Sequence, residues 1–377
     1  MIEINYVTNL DVNEYSGGWS GMNHQVYEQL RKRVKIHLVD KINPPVPKRE
    51  KYISKFFRTV SLEGSFSSFS KRRLDKIAAL VESRWNREAD ITFFHGATPW
   101  LHVRNKKPYA MYLDASFATY IRVYHDQGQF NAAQLEYLFN KESQFLERAI
   151  KVFFSSRWAL EDAKRSYGIS GENFCVAGVG GGLEGAGDNI ENNAEKYFLF
   201  VGLDFLGKGG KLVVNAFDEV SKKNSGIKLK IVGQAPPQEY LTHPGIEYLG
   251  LINKSTKEGM CRLSSLYAGA RALLLPTKKD MTPLVIIEAA SLGCPVITVD
   301  NFGIPEIVQH RTTGILMMSS EDLARQLENA MTELCENDLL YQKMKQEAPI
   351  FTRDNFTWDH VGEKIAQQLT SAGIILN

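Results

Sequence analysis

The chain has 377 residues, 44% apolar and 23% charged, with a formal net charge of +2. That balance excludes a disordered or fibrous chain, and the length suggests two domains. The small net charge favours no anionic partner by itself, but residues 1–178 hold 26 Lys and Arg against 19 Asp and Glu, while the rest hold 19 against 24. A basic first half suits an anionic surface or acceptor, and it equally suits solvated helix faces.

The N-terminal stretch MIEINYVTNL reads as a strand, with no charged n-region and no h-region, so no signal peptide is expected. No apolar run reaches the roughly 18 residues of a spanning helix. The four cysteines are far apart and form no Cys-x-x-Cys, which fits a reducing compartment and gives no zinc signature. The expectation is a cytoplasmic protein, with contact at the cytoplasmic face of a membrane left open.

Strand-sized apolar runs then alternate with helix-period segments, the pattern of parallel βαβ units. EINYVT reads as a strand, SGGWSG as a Gly-rich turn, residues 23–33 as a helix and KIHLVD as a strand. Residues 56–73 interleave Phe with basic residues and read as a flap or an ordinary loop. The flap would hold an acceptor or rest on an anionic membrane. Residues 72–87 and 132–149 read as helices, and ADITFFHG, YAMYLDAS and KVFFSS as strands. Residues 178–193, rich in Gly, Asn and acid, read as an inter-domain linker.

In the second half KYFLFVG, IKLKIVG, GIEYLGLI, ARALLLPT and CPVITVD read as strands, with helices at KLVVNAFDEVSKKN and PLVIIEAASLG and one ending at SLYAGA. The final segment WDHVGEKIAQQLTSAG is an amphipathic helix. Two α/β domains result, with ligands expected beyond the carboxyl ends of their strands.

FLFVGLDFLGKGG, residues 198–210, is almost a P-loop: Gly202, four residues, Gly207, Lys208. A complete one has Ser or Thr next, for Mg²⁺, where this chain has Gly209. In LLLPTKKDMTPLVIIEAASLGCPVITVD, Thr282 reads as an N-cap and Pro283 as the first helical residue. The free amides of Leu284 and Val285, with the helix dipole, then form an anion site suited to a diphosphate. Glu288 follows the apolar run LVII and needs a hydrogen-bonding partner if buried, which two ribose hydroxyls would supply. Asp280, eight residues earlier, faces whatever lies beyond the phosphates.

The segment from Asp280 through Glu288 to Ile297, followed by Asn301-Phe-Gly-Ile-Pro-Glu-Ile-Val, resembles the acidic-x₇-acidic motif of retaining glycosyltransferases of the GT-B fold, family 4. The likeness covers residues 197–318 well and the first half weakly. It implies two Rossmann-like domains with parallel sheets facing across a cleft: 1–178 on the acceptor side and 179–355 on the donor side. A helix over 356–377 then returns to the first domain. It also implies that Glu288 binds the donor's ribose, Asp280 the transferred sugar and Lys208 the diphosphate, and that cleft closure excludes water.

Three positions depart from that family: Asp280 stands for the usual Glu, Leu203 for the usual Arg and Pro283 for the usual Gly. By the same resemblance Gly17 and Gly18 of SGGWSG approach the donor, and Asp114 contacts donor sugar or acceptor; otherwise Asp114 caps a helix. His95 lines the cleft or is structural. Arg157 is a candidate for the phosphate cation missing at Leu203, and its neighbours Ser155 and Ser156 for capping the next helix.

None of the eight His forms a ligand pair, so no metal held by the protein and no cofactor is expected. Partners are a nucleotide-sugar donor and a glycan or lipid-linked acceptor, with no nucleic acid. The competing readings are a catalytically silent sugar-nucleotide binding protein and a P-loop NTPase whose Mg²⁺ carboxylate is Asp300.

Overall fold

The computed structural model describes residues 2–13, 18–59, 63–182, 196–318 and 322–374. The chain divides into two compact units: among the described residues one holds 2–13, 19–178 and 361–374, and the other holds Val179–His360 together with Gly18. In the first unit, β1 (Glu3–Val7), α1 (Gly18–Arg31), β2 (Lys35–Val39), α2 (Lys48–Thr59), α3 (Lys71–Arg84) and β3 (Ile91–His95) come first. Then follow β4 (Tyr109–Leu113), α4 (Phe117–Tyr124), α5 (Ala132–Glu147), β5 (Lys151–Phe154), α6 (Arg157–Tyr167) and β6 (Phe174–Val176). The strands form one parallel six-stranded sheet ordered β2-β1-β3-β4-β5-β6. Every residue of β3 and β4 is buried, as expected where helices cover both faces of a parallel sheet.

The second unit holds β7 (Tyr197–Gly202), α7 (Gly210–Lys223), β8 (Lys228–Gly233), β9 (Ile246–Tyr248), α8 (Lys257–Gly269), β10 (Ala272–Leu275), α9 (Leu284–Ser291) and β11 (Val296–Asp300). It continues with α10 (Ile304–Ile307), β12 (Gly314–Met318), α11 (Leu323–Glu336) and α12 (Asp338–Asn355). Its parallel sheet runs β12-β11-β10-β7-β8-β9. The chain direction across the sheet reverses between β7 and β10, so the loops after these strands flank the topological switch point, where open α/β sheets bind ligands.

The last helix, α13 (Trp358–Ser371), buries Val361, Ile365 and Leu369 and belongs to the first unit from Val361 on. Gly362 lets it approach α1, because a Cβ there would lie 2.5 Å from Gln29 Oε1. Lys151 Nζ donates to Gln368 Oε1 at 3.0 Å, tying the same helix to β5.

Several expectations change. The helix after the Gly-rich turn begins at Gly18 and not at residue 23, and it ends at Arg31. Residues 56–73, read as a flap or an ordinary loop, hold among the described residues the end of α2, a short 3₁₀ turn over Ser67–Phe69 and the start of α3. Its last cation, Arg73, is buried, donating to the Pro44 and Ser68 carbonyls and to Asn43 Oδ1. Of GIEYLGLI only Ile246–Tyr248 is a strand. In the segment assigned as linker, a Cβ on Gly181 would lie 2.2 Å from Ile287 Cγ2, and its N–H donates to Phe356 O at 3.0 Å. That end of the segment is therefore packed; residues 183–195 lie outside the described residues.

One buried carboxylate organises the first unit. Glu142 lies on the inward stripe of α5 with Leu135, Leu138 and Leu146. It accepts from Tyr167 Oη at 2.5 Å, Phe117 N at 2.8 Å and Thr98 Oγ1 at 3.0 Å, joining α5 to α4, α6 and the turn after β3. Burial pushes its pKa up, against the pull of those three donors. Because the folded state holds this proton to higher pH than the unfolded chain, its contribution is full below about 4.5 and declines as pH rises through the folded value. Glu142→Ala should cost about 3 kcal/mol in urea unfolding, since three buried donors lose their acceptor. Glu142→Gln should cost less, and the stability gap between wild type and Gln should narrow as pH rises above 4.5; a gap independent of pH would contradict this account.

Candidate active site

The second unit's site is built on the loops after β7 and β10. After Gly202, Asp204 folds a turn: its Oδ1 accepts from Gly207 N and its carbonyl from Lys208 N, both at 2.9 Å. The Lys208 side chain returns across Gly202, where a Cβ would lie 2.6 Å from Lys208 Cδ. Glycine at 202 is therefore the condition for the path of the lysine. Gly209, which caps α7, has φ +85°, and a Cβ there would lie 2.3 Å from Pro276 O. Ser or Thr at this position would be strained and would strike the neighbouring loop. The P-loop reading thus fails on geometry as well as on residue type.

Lys208 Nζ donates to Asp280 Oδ2, so the loop after β7 is clasped to the loop after β10. Both side chains keep partial access to solvent. The loops also meet through the backbone, Lys278 N donating to Gly207 O at 3.3 Å. This brings the exposed Lys278 and Lys279 beside the same turn.

Helix α9 starts one residue later than the sequence pattern suggests. Pro283 is its N-cap, with φ −72° but an extended ψ of 112°, and the helix begins at Leu284. Thr282 therefore does not cap it: its Oγ1 is buried and has no hydrogen-bonding partner. The amides of Leu284 and Val285 fall in the first turn, where N–H groups lack intrahelical acceptors. An orphaned hydroxyl, helix N-terminal amides and a lysine on the adjoining loop make a setting for an anionic ligand.

Glu288 is 2% exposed on a helix that is apolar but for its last residue, Ser291. Lys254 Nζ lies 2.7 Å and 2.5 Å from its two carboxylate oxygens, and Tyr267 Oη donates to Oε2 at 3.4 Å. The need for a partner, which the sequence alone assigned to ribose hydroxyls, is thus met inside the protein. Burial, with the Glu288 carboxylate adding to it, pushes the Tyr267 phenol well up, so it stays a neutral donor. Lys254 was missed because its only signal is a lysine shortly before α8, 34 residues from its partner.

Leu203, at the position of the usual Arg, is 60% exposed and brings no charge. Lys278 and Lys279 are the cations on the adjoining loop. Arg157, the candidate raised from the sequence, begins α6 in the first unit behind the N-cap Ser156, whose Oγ accepts from Ala159 N at 3.1 Å.

In the first unit, Asp114 follows the carboxyl end of β4. The cap of the next helix is Ser116, accepting from Thr119 N at 3.1 Å, so the capping alternative for Asp114 is replaced. His95 ends β3 at 1% exposure and stacks on Trp19 at 3.9 Å. Beyond an approach of the Trp19 backbone too poor in geometry to count as a hydrogen bond, its ring nitrogens meet no polar partner. Desolvation pushes its pKa down to about 3, opposed only in small part by the Trp19 backbone, so the ring is neutral near pH 7. Ser155, at the end of β5, also has a buried, unpartnered hydroxyl. Gly18 opens α1, and Gly17 lies outside the described residues. Among the described residues, no three His, Cys, Asp or Glu side chains come together as a metal cage, and no helix is long and apolar enough to cross a membrane.

The fold is that of the GT-B class. The chain superposes on sucrose-phosphate synthase from Thermosynechococcus elongatus with a TM-score of 0.71, at 17% identity over 99% of this chain and 100% of that one. It superposes on Anabaena Alr3699/HepE, solved with UDP-glucose, with a TM-score of 0.66, at 15% identity over 98% of this chain and 100% of that one. Residues 186–350, which fall within the second unit, match the family model of glycosyl transferases group 1. The D-inositol 3-phosphate glycosyltransferase of Rhodococcus erythropolis is 28% identical over 181 residues, 45% of this chain and 40% of that protein. The aligned region thus spans about two-fifths of that curated relative.

The Lys254–Glu288 pair yields a direct test. Lys254→Met leaves a buried carboxylate without its cation and should cost about 3–5 kcal/mol in urea unfolding. Lys254→Met with Glu288→Leu should recover most of that loss. A single variant as stable as wild type, or a double variant worse than the single, would show that the pair does not carry this cost.

Proposed function

We propose that the protein is a retaining glycosyltransferase that moves a sugar from a nucleoside diphosphate, UDP or GDP, to an acceptor hydroxyl. Glycosyl transfer is supported by the family match over residues 186–350. A nucleotide-sugar donor is supported by the fold shared with a protein solved with UDP-glucose. The observation that carries the reading is the switch-point site, where Lys208, the first turn of α9 and the orphaned Thr282 hydroxyl converge on the loops after β7 and β10.

In this reading the donor's diphosphate takes Lys208 from Asp280 and accepts from the amides of Leu284 and Val285. Asp280, released, receives hydroxyls of the transferred sugar. Glu288, held by Lys254, offers its remaining acceptor capacity to the ribose. By the resemblance, Gly17 and Gly18 approach the donor, and Asp114 contacts the donor sugar or the acceptor. The bond between the anomeric carbon and the β-phosphate oxygen breaks as the acceptor oxygen bonds the same face of that carbon. The acceptor's proton passes to the departing phosphate oxygen. Charge separation is the barrier, and fixed cations and amides around the leaving diphosphate lower it. The reaction takes place without a protein-held metal, and the acceptor is a glycan or lipid-linked glycan in polysaccharide or glycolipid synthesis at the cytoplasmic face.

The test uses UDP- and GDP-hexoses without added acceptor, where a transferase hydrolyses its donor slowly. Nucleoside diphosphate should be released from one donor class, and proton NMR should show the first free sugar with the donor's anomeric configuration. Lys208→Ala should lower the rate about 100-fold or more. Release of the opposite anomer would contradict retention. Tight donor binding with no release by the folded protein would leave a catalytically silent sugar-nucleotide binding protein.

A further inference from the structure

Helix α2 exposes side chains that a helix in water would normally bury. Tyr52 is 69% exposed, Phe56 64%, Ile53 44% and Phe57 39%. They are spaced as two i,i+4 pairs, Tyr52 with Phe56 and Ile53 with Phe57, and so form one continuous arc of the helix. Lys51, Lys55 and Lys48 border that arc on one side, and Arg49 lies within it, all exposed. The helix's acid, Glu50, is turned to the body of the unit, where its Oε2 accepts from Ser70 Oγ at 2.7 Å. Four residues on, Ser54 is buried and donates to Ser65 O at 2.6 Å. The inward edge of α2 is therefore fastened by two polar bonds, and its apolar arc is not the side that packs.

We propose that α2 is an interfacial helix that seats the first unit on an anionic lipid bilayer. The chemistry selects this occupant. Aromatic and branched side chains on one arc suit the boundary between headgroups and acyl chains, and lysines beside them lay their methylenes on the apolar layer while their ammonium groups meet anionic headgroups. A bilayer supplies both halves at once, whereas a soluble partner would have to bring an apolar groove edged by its own carboxylates.

The position of the helix fits an amphiphilic acceptor. Ser65, which receives the bond from Ser54, precedes Phe66, and Phe66 packs edge-on against Phe117 at 5.4 Å. Phe117 opens α4 three residues after Asp114, so the seat adjoins the carboxyl edge of the first sheet. Lipid binding by α2 does not depend on the transferase reading and is measured without catalysis.

The test is flotation of the full-length protein with vesicles of phosphatidylcholine alone and of phosphatidylcholine mixed with phosphatidylglycerol. The protein should float with the mixed vesicles, bind far less to the neutral ones, and detach as salt is raised. Lys51→Gln with Lys55→Gln should weaken binding about fivefold per lysine. Tyr52→Ser with Phe56→Ser should abolish it while leaving the urea unfolding curve unchanged, because these side chains are exposed. No flotation with either vesicle, equal flotation with both, or binding unaffected by both double variants would overturn the proposal. So would a dimer that forms without lipid and is lost with Phe56→Ser, which would assign the arc to a second copy of the chain.

Discussion

The second unit depends on the cost of placing a carboxylate inside an apolar helix. Glu288 is nearly inaccessible, and a charge so placed is tolerated only when paired and hydrogen-bonded. Lys254 and Tyr267 meet that demand from the loop before α8 and from α8 itself, so α8 and α9 are joined by charge as well as by packing. The arrangement is a poor use of a core position if stability were its only purpose, since well-packed apolar residues often do as well or better. In the proposed reading it makes sense as an acceptor group held in place by Lys254 and Tyr267 for a donor's ribose.

A second pairing, Lys208 with Asp280, follows a different logic. Neither side chain is fully buried, and each belongs to a loop on one side of the switch point. In the proposed reaction, an anion that took the lysine would also free the aspartate to accept hydroxyl groups. The same contact thus closes the loops on one another in the structure and would present opposite chemistries to the two ends of a sugar diphosphate. Gly202 and Gly209 are what the backbone requires for this: one leaves room for the lysine's methylenes, and the other adopts a left-handed conformation against Pro276.

The sheets were legible because parallel strands buried on both faces read as unbroken apolar runs, as in YAMYL and YFLFVG. That Lys208 and Asp280 each stand on a loop after a strand was also legible, from turn glycines and a strand–loop–helix boundary. Three things were not. Helix α2 mixes Lys, Arg and Phe, and its exposed arc gives no inward apolar stripe to read. The start of α9 was misplaced because proline's fixed φ serves both the N-cap and the first helical residue; only ψ, which tertiary contacts set, separates them. Lys254 pairs with Glu288 across 34 residues, a distance at which sequence carries no local signal.

The central claim is that the switch point of the second unit is a nucleoside diphosphate site, and calorimetric titration with UDP, GDP, ADP and ATP–Mg²⁺ addresses it most directly. The account predicts tight binding of one nucleoside diphosphate without added metal, lost when Lys208 is replaced by Ala. Binding of ATP–Mg²⁺ alone, or of none of the four by the folded protein, would contradict it.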